Sequence, residues 1–144
     1  RYMNKISGPL LDRIDIQCEI SPVPFKDISK AAPGEPSARI RERVIRAREI
    51  QAERFKDFKG IHCNAQMTER MIHQFAEPTE EGINLLRMAM EKLSLSARAY
   101  NRILKVARTI ADLAGSQQVE PQHLAEAIGY RTLDRGDWAE RGHF

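Results

Sequence analysis

The stretch SLSARAYNRILKVARTIADLAG, residues 94–115, constrains this chain more than any other. Ser96 offers an N-cap oxygen, and Ile103, Ala107, Ile110 and Ala114 recur at helical spacing. Gly115 stands where a left-handed residue closes a helix. The reading is a helix of about five turns with one apolar face. Such a helix cannot bury that face alone, so the rest of the chain must supply matching helices.

It does. Ser37 is a plausible N-cap for a long helix running to about Phe55, with Ile40, Val44, Ala47 and Phe55 on one face and Ile50 at its edge. Gly60 closes that region, and residues 68–75 make a short helix. Pro78 and Thr79 open another, with Ile83, Leu86, Met90 and Leu93 as its stripe. Pro121 starts a last helix carrying Leu124 and Ile128 and stopped at Gly129. Phe55 and Phe58 read as core and edge, and Met67, Met71, Met88 and Met90 as packing residues. The fold class is mainly α, a bundle of four to five helices over residues 37–130.

The first residues differ in character. Tyr2 to Ile6 resembles the end of a helix, stopped by Ser7, Gly8 and Pro9, and Leu10 to Arg13 can make a short helical turn. Ile14, Ile16, Cys18 and Ile20 then alternate with Asp15, Gln17 and Glu19, the period of a half-buried strand. A single strand cannot satisfy its own backbone, so residues 1–22 read as the remnant of a sheet-bearing core. The chain begins with Arg1 in mid-pattern, which suggests a piece of a longer protein. Residues 23–36 form a linker, since residues 21–36 hold four prolines and a glycine. Residues 131–144 read as a loose polar tail apart from Trp138.

No stretch approaches the roughly 18 apolar residues of a membrane span, and there is no signal-peptide pattern. The expectation is a cytoplasmic protein without a membrane partner. Cys18 and Cys63 read as reduced, partly buried thiols, and no spaced ligand set supports a metal site. Net charge is only +3, but residues 37–59 hold six arginines and two lysines against four acidic residues. Arg39, Arg41, Arg43, Arg46 and Arg48 can track a nucleic-acid backbone. They can equally form pairs such as Glu42 with Arg46, or a solvated or subunit-contacting face. No aromatic residue is interleaved as a stacking platform.

Several chemistries are excluded. No glycine is followed by Lys-Ser or Lys-Thr, no apolar strand ends in Asp-Glu, and no nucleophile–base set stands out. The chain alone should hydrolyse nothing. Two arginines remain. In SGPLLDRIDI, residues 7–16, the Gly-Pro turn and two leucines hold Arg13 at a defined place. An arginine so anchored suits a phosphate, though it can also simply pair with Asp12 or Asp15. Arg98 lies in the first turn of the 97–114 helix, where the dipole mildly disfavours a cation and both together attract an anion. Solvation, or pairing with Glu91, is the alternative.

SGPLLDRIDI followed by LSARAYNRILKVARTIADL, with HCNAQ (residues 62–66) between them, resembles the C-terminal part of magnesium-chelatase-related AAA+ ATPases, the ComM/YifB group. The resemblance spans residues 2–134. It implies that residues 37–130 are the helical lid and that residues 14–20 are the last strand of the ATPase core. It implies that Arg13 is an arginine finger, acting in trans on ATP held by a neighbouring subunit of a homo-oligomeric ring. Arg98 would be the sensor-2 residue, in its own subunit or across the interface, and Asp12 and Asp15 would orient Arg13 when nucleotide is absent. The complete protein would then use ATP and Mg, with neither bound to these residues alone. The ring would remodel branched or single-stranded DNA during competence, or insert metal into a porphyrin as chelatase relatives do. The rival expectation is a non-catalytic helical module that binds nucleic acid or protein through residues 39–59.

Overall fold

The helix expected from residues 94–115 is the axis of the molecule. The computed structural model describes residues 5–131, and in it this helix spans Ala97–Leu113. The Ser96 hydroxyl accepts the Ala99 N–H at 3.3 Å, which satisfies one of the helix's open donors. At the other end Gly115 takes φ +70°. The Gly115 N–H reaches the Asp112 carbonyl at 3.1 Å and the Ser116 N–H the Ala111 carbonyl at 2.8 Å, a Schellman closure. Between these caps Ala99, Ile103, Leu104, Ala107 and Ala111 are buried. A side chain the size of Ile103, wholly buried, contributes about 1.5–3 kcal/mol.

Seven α-helices lie among the described residues: α1 Gly8–Asp12, α2 Phe25–Ser29, α3 Ser37–Arg54, α4 Glu69–Phe75, α5 Glu80–Lys92, α6 Ala97–Leu113 and α7 Pro121–Gly129. The chain is mainly α, and α3 to α7 form the bundle. α6 packs against α3, α4 and α7, and α5 lies on α7. Thr68 and Thr79 cap α4 and α5 through their hydroxyls, as their positions before those helices require. Phe55, Phe58 and Phe75 meet edge to face, with centroids 5.7–6.3 Å apart, and join the ends of α3 and α4.

Four expectations change. Residues 14–20 form no strand: the alternating pattern has no second strand to pair with, and extended backbone without a ladder is not a sheet. Instead the Gln17 N–H donates to the Tyr130 carbonyl at 2.8 Å. The linker region is exposed throughout but contains the short α2. In the first turns of α3 Ile40 and Val44 are exposed, as is Ile50 at the edge of the face, and Pro36 rather than Ser37 precedes the helix. Met88 and Ile83 also face solvent, because α5 packs chiefly on α7 and leaves its outer side uncovered. The helix end expected from Tyr2 and the tail over residues 132–144, with Trp138, lie outside the described residues. Arg131, expected to begin that tail, is buried.

Candidate functional site

Arg13 and Arg98 lie on the two segments that meet at the start of α6. Ser7 caps α1 by accepting the Leu10 N–H at 3.3 Å, and Arg13 follows α1 as its C-cap. One residue earlier, the Asp12 carboxylate accepts the Ser96 hydroxyl at 3.1 Å. Ser96 is the N-cap of α6, and Arg98 lies two residues further on. The one hydroxyl therefore accepts from its own helix and donates to Asp12. A carboxylate beside a helix N-terminus is favoured by the dipole, by about 0.3–1 kcal/mol at an exposed site. The anion that the start of α6 was expected to attract is thus, in this structure, the chain's own Asp12.

Asp15 is engaged as well. Arg102, one turn further along α6, donates to it at 2.7 Å. Buried Arg131 reaches back from the end of α7 and donates to the carbonyls of Ile14 at 2.9 Å and Asp12 at 3.0 Å. Neither aspartate pairs with Arg13, because each has a partner on α6. They anchor the segment rather than orient the Arg13 side chain. Among the described residues no hydrogen bond or ion pair engages the side chain of Arg13 or of Arg98, and both are exposed. The alternatives of pairing with Asp12, Asp15 or Glu91 are not what the structure contains.

The basic helix behaves differently from its sequence pattern. Arg43 pairs with Glu35, preceding the helix, with its second nitrogen at 2.9 Å. This hydrogen bond holds the Glu35 carboxyl below its ordinary range and raises the Arg43 guanidinium. No Glu42–Arg46 ion pair forms among the described residues; Arg39, Arg41, Arg46 and Arg48 are exposed and unpaired there. Cys18 is exposed rather than partly buried, because the segment carrying it joins no sheet and has no covering layer there.

Residues 34–131 match the family described as magnesium chelatase, subunit ChlI C-terminal, and residues 1–28 match magnesium chelatase, subunit ChlI. The chain belongs to the magnesium chelatase ChlI family. Its relatives include the competence protein ComM of Haemophilus influenzae, 44% identical over 136 residues, or 94% of this chain and 26% of the relative. The uncharacterized protein YifB of Escherichia coli is 43% identical over the same share of each chain. An uncharacterized protein of Mycobacterium tuberculosis is 35% identical over 131 residues, 91% of this chain and 26% of that protein. The chain spans about a quarter of the length of the curated relatives it matches. No helix among the described residues is long and apolar enough to cross a membrane.

In this ChlI-family chain, sequence reasoning missed a buried polar network at the C-terminal end of α6. Asp112, wholly buried, receives Arg54 through two hydrogen bonds and the Arg108 Nε at 3.1 Å. Arg108 also donates to the carbonyls of Ser116 at 2.6 Å and Gln117 at 2.9 Å, tying the end of α6 to the following loop. Burial pushes the Arg108 pKa down, while the Asp112 charge opposes that shift. HCNAQ supplies the third element. Asn64 accepts Arg54 at 2.8 Å, donates to Asp112 at 2.8 Å and to Thr109 at 3.1 Å, and its backbone N–H reaches Gln51 at 2.8 Å. The amide is saturated in both directions, so its role is to join α3 to α6. The i, i+4 spacing of Arg108 and Asp112 was the one local signal for this network.

Proposed function

We propose that this chain is the lid and arginine-finger part of a ring-forming AAA+ ATPase, with Arg13 as the finger and Arg98 as the nucleotide-sensing arginine. One observation supports the reading: the Asp12–Ser96 hydrogen bond joins the segments that carry two exposed arginines without a partner among the described residues. Two such guanidinium groups, carried on either side of one contact between α1 and α6, suit the spread negative charge of a phosphoryl group in transfer. Because a single chain holds them together, both serve the same nucleotide, the one bound by the neighbouring subunit. ATP and Mg belong to the complete protein, whose P-loop and magnesium-binding residues are not in these 144 residues. Arginine supplied in this way is worth roughly 10³–10⁵ in rate.

The work done by the ring is the remodelling of branched DNA in the cytoplasm. The support is the 44% identity to the competence protein ComM and the unpaired arginines of α3. Arg39, Arg41, Arg46 and Arg48 are the residues that would meet the phosphate backbone, with Arg43 committed to Glu35. The test is ATP turnover by the complete protein with and without a four-way DNA junction. Stimulation by the junction, lost when Arg41 and Arg46 are reversed in charge, is the expected result. Turnover indifferent to DNA would leave the ATPase and overturn the DNA motor, in favour of a protein or porphyrin partner.

A further inference from the structure

We infer that Asp12, Asp15, Ser96 and Arg102 are positioning residues that clasp the finger segment to the first turns of α6, so that Arg13 and Arg98 move as one body. The inference rests on the ATPase reading above. α1 has five residues, too few to hold a geometry by itself. On the other side of Arg13, residues 18–36 are exposed throughout and offer no second support. Among the described residues, Arg13 is fixed by its neighbours, with buried Gln17 donating to the Tyr130 carbonyl as a further tie. Asp12 is held by Ser96 and Asp15 by Arg102, while Arg131 grips the backbone between them.

The reach of the two attachments agrees. Ser96 and Arg102 are separated by six helical residues, about 9 Å of rise. Asp12 and Asp15 are three residues apart, a span of at most about 10 Å. The finger segment can thus run beside α6 and be fastened at both ends. A displacement of α6, whatever drives it, carries Arg13 with it. The Asp15–Arg102 attachment is half-exposed, with side-chain exposures of 47% and 34%, so its loss leaves the fold nearly as stable as before. A shift of about 1 Å in a catalytic arginine is another matter, and can cost 10²-fold in rate. Positioning and structural roles therefore separate in experiment.

The complete protein is made as Asp15→Arg, Arg102→Asp and the double exchange, with Arg13→Ala beside them. Melting temperature, kcat and KM for ATP are read for each. The expected result is a kcat lowered roughly tenfold or more in each single variant, with KM and Tm nearly unchanged, and most of kcat restored by the exchange. Asp15→Asn, which only removes a half-exposed charge, keeps the test open should a reversal prevent folding. Singles with native kcat, or an exchange no better than the singles, would overturn the clasp. If Arg13→Ala retains native turnover, the ATPase reading itself is lost. If Arg13→Ala is inactive while the clasp variants are native, only the clasp is lost.

Discussion

Asp112 and Arg54, 58 residues apart in the chain, form a two-pronged ion pair, with Nη1 to Oδ2 at 2.7 Å and Nη2 to Oδ1 at 2.5 Å. Asp112 has no exposed side-chain surface, and it also compensates Arg108, whose side chain is 3% exposed. One carboxylate thus balances two guanidinium groups. Removing it strands both, one of them deep in the bundle. Asp112→Ala should cost about 3–5 kcal/mol in denaturant unfolding. A loss below about 1 kcal/mol would mean that the network is not what joins α3 to α6.

Arg98 should behave in the opposite way. A cation in the first turn of α6 opposes the helix dipole, and no partner among the described residues offsets it. Arg98→Ala should leave stability unchanged or raise it by about 0.3–1 kcal/mol, while turnover by the complete protein falls. A stability loss without a turnover loss would make Arg98 a structural residue.

Gly82 marks the closest approach of α5 to α7. A Cβ there would lie 2.8 Å from Leu124 Cδ1 and 3.1 Å from Pro78 Cβ. Leu124 has no exposed surface and cannot withdraw easily. Alanine gains about 1 kcal/mol in helix propensity over glycine, whereas overpacking costs about 1–3 kcal/mol. Gly82→Ala should therefore be destabilising on balance, shown by a lowered Tm. An unchanged or raised Tm would mean that α5 and α7 can move apart freely.

The Glu35–Arg43 pair gives the start of α3 a pH dependence. The Glu35 pKa is depressed below its ordinary value of 4.5 by the Arg43 hydrogen bond. A depressed carboxylate adds stability above pH 4.5 and loses it as pH falls through the lower, folded-state value. Protection of the amides of Arg39 to Arg41, taken relative to their intrinsic exchange rate at each pH, should fall over that acid range, and Glu35→Gln should remove the pH step. Identical profiles in the two proteins would sink the assignment.

What the sequence revealed was what depends on near neighbours. Ser96, Thr68, Thr79, Pro121 and Gly115 mark helix ends because caps and closures act over three or four residues, and each stands at its expected place. Residues 14–20 alternate with period two but form no strand among the described residues, since such a pattern is a strand only when another strand lies beside it. The partners of Asp12 and Asp15 are 84 and 87 residues away, and no spacing rule reaches so far. Arg13 and Arg98 were each legible through motif resemblance. The Asp12–Ser96 contact between the segments that carry them was not.

The role proposed for Arg13 is action on a nucleotide. Its most direct measurement is the turnover of saturating ATP by the complete protein carrying Arg13→Ala, with ATP binding measured alongside. A fall of roughly 10³-fold or more with binding almost intact is the predicted result. Turnover within a few-fold of the native protein would contradict it.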